Sequence, residues 1–377
     1  MLDVIVIGAG QAGLAAAWHL QRKGLIAGQQ FIVLDANPGP GGAWRHRWPS
    51  LTLGTAHGIH DLPGFPQEPA DPTEPASSVV SRYYGAYEDQ FALSVHRPWE
   101  VTAVTDPHDG PHLNVTSRHR ETGEQRTDQT RTIINATGTW DQPYWPYYPG
   151  GASFKGRQLH TREYTDASDF SGQRVVVVGG GASAVQFLLP LAQAGAHTMW
   201  STRRAPVFGE RDFDREWGRD VERAVRTRTE AGLPTLPVVA TTGLPLTPAY
   251  QQGIDEGILV SKGPLARLTD KGVVFAGVTP QYAGELMPAW EGGAVDVDVV
   301  LWATGFRPAI RHLAPLGLRT EHGGIRTDGA IVFDDARVFL AGYGAGASTI
   351  GATRTGRHAA VAAWRYVSEQ RVGVRAG

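Results

Sequence analysis

The chain of 377 residues contains no cysteine. That excludes disulfide staples, thiolate metal sites and a redox-active cysteine pair within it. Charge of one sign is also lacking. The formal net charge of −2 leaves no electrostatic footprint for nucleic acid or an anionic membrane. No apolar run approaches the ~20 residues that span a bilayer. The first strand begins within a few residues of Met1 and leaves no space for a signal peptide, so a cytoplasmic protein is expected. Glycine is what the chain has in quantity: 47 residues, beside 25 prolines and 41% hydrophobic content. Many tight turns are implied, the hydrophobic content supports packed cores, and the length has room for two domains, since single cores stop growing near ~250–300 residues.

The glycines are not scattered. Gly8-Ala9-Gly10-Gln11-Ala12-Gly13 follows the apolar run Val4 to Ile7, and Gly179-Gly180-Gly181-Ala182-Ser183-Ala184 follows Val175 to Val178. In such a pattern the glycines permit a sharp strand-to-helix turn, backbone approach to a diphosphate and close packing of helix on strand. The helix N-terminus then supplies free N–H groups and partial positive charge. After the first pattern, a helix to about Gly24 and the strand Phe31 to Leu34 complete a βαβ unit. Asp35 closes that unit at near the required spacing of ~20 residues from the last glycine, with Ala36 beside it also expected at the cofactor. A carboxylate there accepts hydrogen bonds from an adenosine ribose and repels a 2′-phosphate, which suits FAD or NAD. After the second pattern the equivalent strand ends Ser201-Thr202-Arg203-Arg204, without an acid. Arginine pairs with a 2′-phosphate in bidentate fashion and Ser or Thr adds a hydrogen bond, which favours NADPH. Solvated turn charges are the alternative for Arg203 and Arg204.

Between and beyond these units, a helix is expected over 78–91 and strands near 101–104, 113–117 and 132–135, the last ending on Ala136-Thr137-Gly138. Pro143, Pro146, Pro149, Gly150 and Gly151 read as a linker. Phe213, Trp217, Val221, Ala224 and Val225 recur at helical steps, as a surface helix or a cap on a substrate cavity. The strand 297–302 ends on a second Ala-Thr-Gly, Ala303-Thr304-Gly305. A strand over 338–342 leads through Gly342-Tyr343-Gly344 and Ser348-Thr349-Ile350-Gly351 into a helix to about Glu369. The expected fold is α/β, with two Rossmann-like modules: a FAD-binding domain of 1–151 and 307–377, and a NADP-binding domain of 152–306 inserted into it. Gly41-Gly42-Ala43-Trp44 lies where a flavin must pass; Trp44 and Trp48 wall its ring or are core aromatics. His57 and His60 lie in a Gly-rich, Pro-flanked stretch where a three-residue spacing makes no helix face, and no metal is expected.

Phe154, Gly156, His160 and Tyr164 follow the pattern Phe-x-Gly-x-x-x-His-x-x-x-Tyr. With both glycine patterns, Gly41 to Trp44, both Ala-Thr-Gly triplets and Phe306-Arg307-Pro308, the chain resembles the class B flavin-dependent monooxygenases over nearly its whole length. The resemblance implies that NADPH reduces FAD by hydride transfer to N5 and that NADP⁺ stays bound. O₂ is then captured as a C4a-hydroperoxide shielded from water and stray protons. A soft N or S heteroatom, or a ketone, of a small molecule takes the distal oxygen. Tyr164 stands where the Baeyer–Villiger branch typically has Trp, and so leans towards the heteroatom. FAD contacts are expected also from Val101, Ala136, Thr137, Gly138, Gly342, Thr349 and Ile350, and coenzyme contacts from His160, Ala303, Thr304 and Gly305. Two departures stand out. Tyr343 occupies the place of an Asp that holds the ribityl chain, and Thr52, Thr55, His57 and His60 stand where an Asn lies near the reacting flavin edge. Thr52, His57 and His60 are therefore the candidate groups beside the peroxide. A small-molecule substrate and O₂ are the expected partners, with no nucleic acid and no membrane, and a homodimer is left open. A flavin reductase without a disulfide and a non-catalytic flavin or nucleotide sensor are the competing readings.

Overall fold

Leu2–Ile7 (β1) is buried along almost its whole length, as a strand covered on both faces must be. It pairs in parallel with Phe31–Leu34 (β2) on one side and with Gln125–Asn135 (β6) on the other. The computed structural model describes residues 1–56, 59–108, 110–209, 223, 225–235, 243–347 and 349–375. Among these, two compact units emerge: Met1–Asp141 with Arg219–Leu236 and Pro308–Gly377, and Gln142–Gly218 with Pro237–Arg307.

In the first unit, Val338–Leu340 extends the parallel sheet beyond β6, and the short strand Val95–His96 (β3) pairs with β2. The strand β6 joins two parts of one nine-stranded sheet. Its first half alternates exposed and half-buried residues and pairs antiparallel with Leu113–His119 (β5), which in turn pairs with Trp99–Thr105 (β4). Its end, Thr132 to Asn135, is continuously buried and lies in the parallel part, so the change in burial period marks the change in partner. The helix Gln11–Arg22 (α1) and the C-terminal helix Thr349–Arg375 build one core with Ala76–Phe91 (α2). On the opposite face, Ile310 and Leu313 of a 3₁₀ turn pack with Ile5, Ile7 and Ile133.

In the second unit, Arg157–His160 (β7), Val299–Trp302, Arg174–Val178 (β8) and His197–Ser201 (β9) form a parallel sheet in that order. The helix Ala182–Gln193 (α3) connects β8 to β9. A separate antiparallel sheet of Leu265–Leu268, Gly272–Phe275 and Gly293–Asp296 packs its apolar side on Val176, Val300 and Trp302. Sequence periodicity did not reveal that sheet, because its strands are four residues long. Each unit is a Rossmann-like α/β fold.

Three boundaries differ from those read in the sequence. The segment expected to link the units joins the second one, because Tyr144 N–H donates to Gly305 O (3.0 Å) and Leu268 N–H donates to Pro149 O (2.8 Å). Residues 225–235 group with the first unit, and the C-terminal helix runs past Glu369 to Arg375. Phe213, Trp217, Val221 and Ala224 lie outside the described residues. Among those described, no helix is long and apolar enough to cross a membrane.

A Cβ on Gly13 would lie 1.8 Å from Gly8 O, whereas at Gly181 nothing stands within 4 Å. Gly13→Ala is therefore expected to lower stability by about 3 kcal/mol. Gly181→Ala is expected to change it by less than about 1 kcal/mol. Urea unfolding of both variants checks the contrast.

Candidate functional site

Each parallel sheet delivers a glycine turn to a helix N-terminus, and both turns have the geometry an anion needs. The helix α1 starts from Gly10 and α3 from Gly181; neither N-cap carries a side-chain hydrogen bond and neither first turn contains an acid. Their leading N–H groups are thus left to a ligand. Gly10 meets only Gly42 Cα, at 4.0 Å, in the place of a Cβ. By contrast Gly8, with φ +102°, and Gly179, with φ +142°, are pressed against Ala136 O and Ala303 O, where a Cβ would come within 2.6 and 2.1 Å. The turns are tight where they touch protein and open where a diphosphate would lie. Gln11 joins α1 to the C-terminal helix through Thr353 Oγ1 (3.0 Å), and Ala12, Ala182, Ser183 and Ala184 continue the first turns of their helices.

Both Ala-Thr-Gly triplets are braced in the same way, each inside its own unit. Thr137 Oγ1 donates to Ala309 O (2.8 Å), and Ala309 N–H donates to Gly138 O (2.9 Å). Thr304 Oγ1 donates to Tyr144 O (2.6 Å), and Tyr144 N–H returns to Gly305 O (3.0 Å). Behind the first brace, His312 Nε2 donates to Asn135 Oδ1 (2.6 Å), and burial lowers the imidazole pKa to about 4.

Asp35 ends β2 with only 4% of its surface exposed. Its Oδ2 accepts from Arg97 Nε (2.9 Å) and its Oδ1 from Asn37 Nδ2 (3.3 Å). Beyond it, Gly41 and Gly42 enter a 3₁₀ turn over Gly42–His46 that carries Ala43 and Trp44. Trp44 packs against the first core, and Trp48 is buried. The Arg47 guanidinium lies 4.8 Å from the Trp140 ring centre, 5.9 Å from Trp44 and 6.0 Å from Trp48, and burial lowers its pKa to about 10. Arg47, Arg97 and His312 were not singled out in the sequence. Their partners lie far along the chain, and only the fold brings them together.

The candidates for the reacting edge are less organised. Thr52 Oγ1 lies 3.0 Å from Thr55 Oγ1 in a local turn, His60 is exposed, and His57 lies outside the described residues. Tyr343, in the place of the missing Asp, is buried, and its hydroxyl accepts from Ile325 N–H (3.0 Å). Gly342 has φ +71° just before it. Val101 sits on β4 opposite Ser117, beside a register shift. Of Thr349 and Ile350 the backbone alone is described; they open the C-terminal helix.

At the second turn, Arg203 and Arg204 are exposed past the end of β9. Ser201 does not join them: it is 1% exposed and its hydroxyl donates to Gly263 O (2.9 Å). Thr202 is likewise spent on Arg204 O (2.7 Å). The expected hydroxyl contribution to a 2′-phosphate is therefore withdrawn, because burial has already consumed both groups. His160 is fully buried. It receives Arg162 N–H on Nδ1 (3.3 Å) and donates from Nε2 to Gly305 O (3.0 Å), so its neutral tautomer is fixed. Burial holds its pKa below the usual value, with the Gly305 bond opposing. Phe154, Gly156 and Tyr164 pack in the second unit: Tyr164 stacks on Phe170 and meets Phe187 at a tilt, and a Cβ on Gly156 would strike Phe154.

A family model described as pyridine nucleotide-disulphide oxidoreductase matches residues 5–233. A flavin-containing monooxygenase from Stenotrophomonas maltophilia is 34% identical, with 97% of this chain and 98% of that chain covered and a TM-score of 0.75. An uncharacterized oxidoreductase, CzcO, from Bacillus subtilis is 30% identical over 51% of this chain and 52% of its own length. A Baeyer-Villiger monooxygenase from Streptomyces coelicolor is 25% identical over 80% of this chain and 64% of its own length. The match spans about half the length of the first of the curated relatives.

His312 supplies a test of the brace. Its folded pKa lies below the unfolded value, so its stability contribution is complete above pH 6.5 and is lost as pH falls towards 4. On the order of 2–3 kcal/mol is expected to disappear across that window. His312→Gln should flatten this slope in thermal unfolding recorded at successive pH values; an unchanged slope would show that His312 is not responsible.

Proposed function

The chain belongs to the pyridine nucleotide-disulphide oxidoreductase family and to the flavin monooxygenases within it, and from that premise we propose a FAD-dependent, NADPH-using monooxygenase. It transfers one oxygen of O₂, by way of a C4a-hydroperoxyflavin, to a soft N or S heteroatom or a ketone of a small molecule. The observation that supports this reading most is the pair of uncapped helix N-termini on open glycine turns, in a chain without cysteine. Two dinucleotides fit such turns, and the disulfide route that the family name suggests has no cysteine thiol in this chain to use.

When bound, the flavin supplies the redox chemistry and the activation of oxygen. The chain's part is to bind, orient and withhold protons. The N–H groups of α1 hold the FAD diphosphate, and Asp35 holds the adenosine ribose. The N–H groups of α3 hold the coenzyme diphosphate. Arg203 and Arg204, the exposed cations after β9, take the 2′-phosphate without help from Ser201 or Thr202. His160, held neutral by burial and fixed in one tautomer by Gly305, orients the Ala303-Thr304-Gly305 turn and donates no proton to the reaction.

Anaerobic reduction of the flavin-loaded protein with NADPH, followed by mixing with O₂, tests the reaction. A lasting C4a-adduct spectrum is expected. Immediate return to oxidised flavin with peroxide release would indicate the reductase instead, and no reduction at all the sensor. For the coenzyme, Arg203→Ala with Arg204→Ala should raise KM for NADPH about 10–100-fold and leave NADH within about 2-fold. Equal loss for both coenzymes would remove the 2′-phosphate assignment.

A further inference from the structure

Asp35 does not stand alone at the end of β2. Arg97 Nε donates to its Oδ2 (2.9 Å), while the two terminal nitrogens of Arg97 grip both oxygens of Glu88, at 2.6 and 2.7 Å. The side chains of Arg97 and Glu88 are 13% and 11% exposed, and Asp35 less still. A buried carboxylate is costly unless paired, and a planar guanidinium held bidentate on one side has little freedom on the other. The clamp therefore fixes the plane and rotamer of Asp35.

The network continues with defined polarity. Asp35 accepts only, so Asn37 must turn its NH₂ towards Oδ1 (3.3 Å). Asn37 Oδ1 is then an acceptor for His46 Nε2 (2.7 Å), whose ring stacks on Trp140. Arg97 occupies Oδ2, the Asn37 contact to Oδ1 is long, and a carboxylate oxygen carries more than one lone-pair site. Oδ1 keeps capacity for a hydroxyl donor.

We propose that Arg97, anchored by Glu88, is the positioning residue that presents Asp35 Oδ1 to the adenosine ribose hydroxyls of FAD, and thereby sets recognition of the ribose. Glu88 and Arg97 lie on α2 and in the segment between β3 and β4, outside the βαβ unit that forms the glycine turn. The ribose contact is thus controlled from outside the fingerprint.

This rests on the FAD reading of the first turn, and the test separates the two. Full-length protein freed of flavin is titrated with FAD and with a FAD analogue whose adenosine lacks both ribose hydroxyls. The wild type is expected to prefer FAD by about 10–100-fold, Asp35→Asn to lose that preference, and Arg97→Gln to reduce it to under about 3-fold. Arg97→Lys should recover part of it. Glu88→Gln, which keeps the fold's hydrogen-bonding shape, should lower the preference by a smaller factor and serves if Arg97→Gln does not fold. If Arg97→Gln weakens both ligands equally, or neither, while Asp35→Asn abolishes the preference, the inference fails and the FAD reading stands. A wild type that binds no FAD would overturn that reading itself.

Discussion

The two glycine turns on which the rest of the nucleotide reading is built depend on one steric constraint: a strand must turn into a helix with backbone touching backbone. At the first turn Gly8 lies on Ala136 O, Gly13 on Gly8 O and Gly42 on Gly10 Cα. At the second, Gly179 lies on Ala303 O. In both cases the surface pressed on is the alanine carbonyl of an Ala-Thr-Gly triplet, and in both the threonine ties that triplet to a crossing segment. The glycines leave room, the triplets set the floor, and the threonines keep the floor in place. Close packing transmits small volume changes, so the open side of each turn keeps its shape only while the closed side is filled.

Buried charge is handled with the same economy. Asp35 is balanced by Arg97, and Arg97 by Glu88, whose own carboxyl burial raises and Arg97 lowers. Among the described residues Arg47 lies over indole rings. His160 and His312, each behind an Ala-Thr-Gly turn, are both biased to the neutral form by burial.

Much of this was legible in the sequence where the signal is local. Fully apolar strands, glycine turns and Asp35 all fall within one βαβ unit, and the unit forms as read. What failed to show was non-local or already spent. Arg97 reaches Asp35 across a separation of 62 residues, and no periodicity links the two. Ser201 has the right chemistry in the right register, yet the Gly263 carbonyl takes its hydroxyl. The linker prolines read as a boundary because composition shifts there, but the extended backbone they favour suits a segment that hydrogen-bonds along Gly305 and Leu268.

The stretch from Phe154 to Tyr164 is the part of the sequence most specific to the family resemblance, and its geometry separates diagnosis from chemistry. Phe154 fills a core, Gly156 exists because Phe154 and the Asp298 carbonyl leave no room for a Cβ, and Tyr164 lies between two phenylalanines, stacked on Phe170 and tilted against Phe187. His160 has both ring nitrogens committed to backbone. Such a pattern identifies how β7 is seated beside Val299–Trp302, since Leu159 and His160 lie in register with Leu301 and Trp302. A tyrosine rather than a tryptophan at position 164 then reports the volume between Phe170 and Phe187 before it reports the oxygen acceptor. A residue 4% exposed within that cluster reads its neighbours. Position 164 therefore carries no argument about what the chain acts on.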